Sequence, residues 1–202
     1  MSHPQPHRKI IAVDMDEVIA DALQEHLDRY NRDFANDETP AITLADLHGR
    51  RLWQVIPAHR HAILDNYFRD GDFFRNLGVM PHAQRVLERL QSRYEIFIAS
   101  AAMEVPSSFA AKYDWLADNF PFIPTSHIVF CGDKSILRAD YLIDDNPRQL
   151  ALFENKQHGE SEAVSHNGAT REGILYTSPA NVDITGYRRV NDWLAVEKMF
   201  LP

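Results

Sequence analysis

An α/β fold built on a parallel sheet is what this sequence predicts, on three observations. Four short apolar runs, at residues 9–14, 95–100, 127–131 and 141–144, read as strands buried on both faces. Each is followed by a loop and then a helix-like stretch, the alternation of a doubly wound sheet. Polar residues with chemical potential recur at the ends of these runs, where open α/β sheets bind their ligands.

The first run (Ile10, Ile11, Ala12, Val13) closes on Asp14-Met15-Asp16-Glu17-Val18. Residues i and i+2 of an extended chain point to one side, so Asp14 and Asp16 face a common site. Helical periodicity follows at 21–34, and later at 82–92, 107–119 and 191–200. Some eighty residues separate the first two strands, far more than a crossover needs. The middle of that stretch, 39–78, carries Trp53, Tyr67, Phe68, Phe73 and Phe74 among scattered charges and reads as helical. Residues 21–78 are therefore expected to form a small helical cap beside the first strand's end, with 1–20 and 79–202 as the core. A weaker fifth strand is expected at 173–177, and the polar stretch 154–171 reads as a surface loop.

Composition narrows the function. A chain of 202 residues that is 45% hydrophobic buries a core of its own. The net charge of −8 argues against a nucleic-acid polymer as partner, since phosphate backbones are held by clustered Lys and Arg. No apolar leader opens the sequence and no stretch approaches the roughly 18 apolar residues of a membrane span, so a cytoplasmic protein without a membrane partner is expected. The single Cys131 cannot form an intrachain disulfide and, lying in an apolar run, reads as a packed thiol. Whether two copies pair as a homodimer stays open.

Three later strand ends complete a constellation. The second strand ends in Ser100, Lys134 follows the third, and the fourth ends in Asp144 and Asp145 before an Asn146-Pro147 turn. In a parallel sheet all of these converge with Asp14 and Asp16 on one rim. Two like charges about 4 Å apart repel by roughly 4 kcal/mol at an effective dielectric of about 20, so the aspartates need a cation or protons. All-oxygen ligation favours Mg²⁺. Lys134 and Ser100 would complete an anion site, and the set fits phosphoryl transfer. Position proposes the division of labour: Asp14 as nucleophile forming an aspartyl-phosphate, and Asp16 as acid–base. Asp133 reads equally as a loop charge or as a residue orienting Lys134. His48, His59, His61 and His82 show no ligand spacing, and His59 and His61 read as solvated cap surface.

The order DMDEV, a strand ending in Ser, GDK, then LIDDNP resembles the four motifs of the haloacid dehalogenase phosphatase superfamily. Within it, DMDEVIAD (residues 14–21), the aromatic insertion, Lys112-Tyr113-Asp114-Trp115 and GDKSILRADYLIDD (residues 132–145) are most similar to the 5′(3′)-deoxyribonucleotidases. The resemblance covers roughly residues 9–150. It implies a Rossmann-like core with a helical cap and Mg²⁺-dependent removal of phosphate from nucleoside monophosphates, small phosphomonoesters. It places the metal ligands on Asp14, the Asp16 backbone carbonyl and Asp145, with Asp144 in support. Ser100, Lys134 and Lys112 become phosphate-binding residues and Trp53 a substrate-binding one. Four positions depart from the family pattern: Glu17 replaces a Gly, Ala22 a base-stacking Phe, Ala101 a hydroxyl and Gly132 an Arg. A phosphatase of the same superfamily acting on another small metabolite, or a non-catalytic phospho-ligand or protein-binding module, is the alternative.

Overall fold

The computed structural model describes residues 8–154 and 170–202. Its strands and helices run, in chain order, β1 (Ile10–Val13), β2 (Ala20–Asp21), α1 (Ala22–Phe34), α2 (Leu52–Val55), α3 (His61–Tyr67), α4 (Gly71–Arg75), β3 (Gly78–Val79), α5 (Ala83–Leu90) and β4 (Glu95–Ser100). After these come α6 (Phe109–Asn119), β5 (Ile128–Phe130), β6 (Tyr141–Asp144), α7 (Pro147–Phe153), β7 (Glu172–Tyr176), β8 (Arg188–Val190) and α8 (Trp193–Phe200).

Six strands form one parallel sheet in the order β5-β4-β1-β6-β7-β8. The chain builds outward from β1 through β4 to β5, then returns to lay β6 on the other side of β1. That reversal puts the topological switch point between β1 and β6, with Asp14 and Asp144 at its lips. Alternation along β1 explains its central place: Ile11 and Val13 join the core cluster that includes α5 and α8, while Ala12 joins Leu142, Leu150, Phe153 and Leu175 on the opposite side. Both faces are thus covered by helices, as a parallel sheet requires.

Residues between β2 and β3 leave the core through a two-stranded antiparallel ribbon in which Ala20 pairs with Val79 and Asp21 with Gly78. Asp21 also caps α1, accepting from the Gln24 amide at 3.1 Å. Inside the excursion, His26, Tyr67, Phe68, Phe73 and Phe74 pack ring against ring. Two tryptophans tie the parts together: Trp115 Nε1 donates to the Leu77 carbonyl at 2.7 Å, and Trp193 Nε1 to the Val18 carbonyl at 2.7 Å.

The expected strands and helices are present, within two residues at each described end, and the β2–β3 ribbon, α7 and β8 appear beside them. Asn146-Pro147 does end β6, but Asn146 also accepts from the Arg148 amide at 3.1 Å and Pro147 occupies the first helical position, so the pair opens α7. Strand β8 is three residues at the sheet edge, too short and too basic to show as an apolar run. Most of the loop expected at 154–171, and the first seven residues, lie outside the described residues. No described helix is long and apolar enough to cross a membrane.

Candidate active site

The parallel register brings the C-terminal ends of β1, β4 and β6 to one edge. Asp14 continues the β1 ladder, its amide donating to the Ile143 carbonyl at 2.9 Å, so its side chain is held at the switch point. Lys134, 1% exposed, follows β5 on a short helical turn that Asp133 caps by accepting from the Ser135 amide at 2.9 Å. The Lys134 ammonium donates to Asp14 Oδ1 at 2.6 Å and to Asp144 Oδ2 at 2.5 Å. The other Asp144 oxygen accepts from the Asn146 amide at 2.8 Å.

Asp16 takes a different cation. Lys112 of α6, 2% exposed, donates to Asp16 Oδ2 and, at 3.2 Å, to Ser100 Oγ, and its ammonium lies 4.6 Å from the centroid of the Phe74 ring. Asp16 Oδ1 is buried without a hydrogen-bond partner among the described residues. Two aspartates on one strand end are thus held by two buried lysines from different elements.

Asp14, Asp144 and Asp145 each offer a carboxylate oxygen within 4.8 Å of the others. The electrostatic cost is visible in their protonation. Burial, opposed by Lys134 and reinforced by Asp144 and Asp16, pushes Asp14 up to about 7. Burial, with Asp144 and Asp14 beside it, pushes Asp145 well above the usual carboxylate range. Burial works against the charged form of Lys134 too, yet Asp14 and Asp144 outweigh it and raise its pKa. Three carboxylates converge where one ammonium bonds two of them, a donor set with room for a cation.

A cavity of about 500 Å³ lies between this edge and the helical excursion that separates β2 from β3. Asp16, Asp145 and Lys112 line it from the core, and Leu47, Leu52, Trp53, Phe68 and Phe74 from the excursion, with Arg50 and Arg51 beside them. Trp53 is half-buried, its Nε1 donating to Asp65 at 3.2 Å. Phe73 is packed away, whereas Phe74 faces the cavity. Ala22 and Ala101, two of the departures from the family pattern, line the same space.

Glu17 is half-buried and lines the same cavity. Its backbone is left-handed at φ 62°, and its Oε1 accepts from the Leu23 amide at 2.6 Å, adding a second cap to α1. Burial, then Asp145, Asp21 and Asp16, push its carboxyl well above the usual range. Cys131 is buried and burial raises its thiol, in keeping with packing. His48, His59 and His82 are exposed and His61 half-buried, its Nε2 3.1 Å from the Ile56 carbonyl. The sequence reading passed over His26, Arg50 and Phe68, all on the cavity wall. A histidine inside an amphipathic helix carries no spacing signal that separates it from core.

Solved structures share this architecture. A haloacid dehalogenase-like hydrolase from Streptococcus pneumoniae superposes with a TM-score of 0.59 at 13% identity, over 96% of this chain and 99% of that one. A hydrolase of the same family from Deinococcus radiodurans gives 0.58 at 16% identity, over 96% and 98%. These likenesses show the fold, which is that of the haloacid dehalogenase-like hydrolases. Residues 8–202 match the family described as 5′ nucleotidase, deoxy (pyrimidine), cytosolic type C protein, and the chain belongs to that family. It is a phosphoric monoester hydrolase of the 5′-nucleotidase type. Among its relatives are a Staphylococcus aureus protein provisionally named a 5′(3′)-deoxyribonucleotidase, 45% identical over 194 residues and 96% of each chain, and the 5′(3′)-deoxyribonucleotidase of Bacillus subtilis, 33% identical over 196 residues, 96% of this chain and 99% of that one.

Proposed function

We propose that this chain is a Mg²⁺-dependent 5′(3′)-deoxyribonucleotidase that releases phosphate from deoxyribonucleoside monophosphates through an aspartyl-phosphate on Asp14. The observation that carries the reading is the split pairing of the two strand-end aspartates, Asp14 with Lys134 and Asp16 with Lys112. Two carboxylates in separate environments suit two separate jobs.

The oxygen-only donors Asp14, Asp144 and Asp145 fit a small hard cation. We assign Mg²⁺ to them and to the Asp16 backbone carbonyl, with Asp144 as the supporting member. When bound, it supplies positive charge against the phosphate and the carboxylates around it. Ser100, Lys112 and Lys134 bind the non-bridging phosphate oxygens. A carboxylate oxygen of Asp14 attacks phosphorus and the ester P–O bond breaks, while Asp16 gives its proton to the leaving sugar oxygen. Asp16, now ionised, takes a proton from water, whose oxygen attacks the acyl phosphate; inorganic phosphate leaves and the Asp14 carboxylate returns. Asp16 lines the cavity with its side chain partly exposed, which supports this role by leaving the carboxyl within reach of a leaving oxygen. Residues 21–78 act as the cap that closes over the cavity, and Trp53 contacts the substrate there.

Phosphate release from a panel of nucleoside and sugar monophosphates, with and without Mg²⁺, tests the reading. Deoxyribonucleotides should lead the panel, chelation should abolish turnover, and Asp14→Asn should lower kcat by about a thousandfold or more. Sugar phosphates far ahead of every nucleotide would replace the substrate, and silence across the panel would leave a phospho-ligand-binding module.

A further inference from the structure

The cap wall of the cavity holds a histidine for which hydrolysis has no use. His26 of α1 is 3% exposed and sits among the rings of Trp53, Tyr67, Phe68 and Phe73, with centroids 4.5–5.9 Å away. Its Nε2 lies 3.1 Å from the Leu64 carbonyl oxygen. A carbonyl only accepts, so the ring proton is on Nε2 and Nδ1 carries the lone pair. Nδ1 has no hydrogen-bond partner among the described residues, and the ring lines the cavity. Burial, opposed by the Leu64 carbonyl, pushes the imidazole down to about 4, so it stays neutral near neutral pH.

The surroundings say what meets that lone pair. Phosphate is anchored at the core end of the cavity, by Lys112, Ser100 and the strand-end aspartates. Leu47, Leu52, Trp53, Phe68 and Phe74 form an apolar surround at the cap end, suited to a flat ring. A nucleotide held by its phosphate therefore extends its base toward His26, and an acceptor on the wall that the base covers without pairing costs binding energy that a ring N–H recovers. We infer that His26 is a base-reading residue, whose Nδ1 accepts a hydrogen bond from a protonated ring nitrogen such as thymine and uracil carry and disfavours the bare ring nitrogen of cytosine. The inference rests on the nucleotide reading above and adds the residue that chooses among bases.

The test compares kcat/KM for thymidine 5′-monophosphate and its N3-methyl analogue, which lacks the ring N–H, in wild type, His26→Phe and His26→Asn. Phe keeps the ring and its packing without the acceptor; Asn places a carbonyl oxygen near the position of Nδ1. Wild type should prefer the unmethylated substrate by about tenfold or more, the size expected for one hydrogen bond to a substrate group. The Phe variant should bring that ratio within about twofold, and Asn should restore part of it. A melting midpoint near the wild-type value shows that each variant is folded. The wild-type ratio persisting in His26→Phe, with nucleotides still turned over, would overturn the role of His26 and leave the nucleotidase reading intact. A wild type that hydrolyses other phosphomonoesters and no nucleotide would overturn both.

Discussion

Asp14 and Asp16 lie two residues apart at one strand end and finish on different ammonium groups, which gives two like residues unlike environments. Asp14 shares Lys134 with Asp144, while Asp16 holds Lys112 with one oxygen and keeps the other unpaired. The environment of Asp14 has a consequence for stability. Its pKa stands at about 7 in the folded protein against 3.8 in an unstructured chain, so between those values the folded state holds a proton that the unfolded chain has released. Stability contributed by this group is therefore lost as pH rises through that window, and the loss is complete above about 7. In chelator-treated protein, the melting midpoint of Asp14→Asn should fall less between pH 5 and 8 than that of wild type. Parallel profiles would show that Asp14 is not the titrating group. Mg²⁺ should raise the wild-type midpoint more than that of Asp14→Asn, because binding to the folded state alone stabilises it.

Among the elements, α6 does the most to join core and cap. Its Lys112 reaches both Asp16 and the Phe74 ring, its Asp118 pairs with Arg75 of α4, and its Trp115 holds the Leu77 carbonyl at the foot of the cap. Trp115→Phe keeps an aromatic ring but leaves that buried carbonyl without its partner, at a cost of about 1–3 kcal/mol. In a chain of this size the melting midpoint should drop by roughly 2–12 °C, as differential scanning calorimetry would record. No shift would mean that the bond contributes nothing to the junction. The strands were legible because buried parallel strands read as short apolar runs bounded by breakers, and 95–100 and 141–144 match β4 and β6 to the residue. Helix α7 was not, because Asn-Pro signals both a turn and a capped helix start, and seven helical residues are too few for periodicity to decide between them. The short helices α2 to α4 also lack the length that makes periodicity visible.

For the whole molecule, the winding of the chain turns scattered residues into a site. Asp14, Ser100, Lys134 and Asp144 are up to 130 residues apart in the chain, yet the parallel order β4-β1-β6 with β5 outside β4 brings them to one edge. That convergence follows from strand ends alone, which is why the meeting of these residues at one edge is legible in the sequence. The cap wall was not, because which face of α1 meets the cavity depends on how the excursion folds back over the sheet. His26 and Phe68 are cavity residues only by that packing, and neither has a motif. Separate jobs for Asp14 and Asp16 are tested most directly with p-nitrophenyl phosphate, since p-nitrophenolate leaves without needing a proton. In rapid-mixing experiments with Mg²⁺, Asp16→Asn should release one equivalent of p-nitrophenolate in a burst and then stall as the aspartyl-phosphate, whereas Asp14→Asn should show no burst. A burst from Asp14→Asn, or turnover at the wild-type rate from Asp16→Asn, would contradict the assignment.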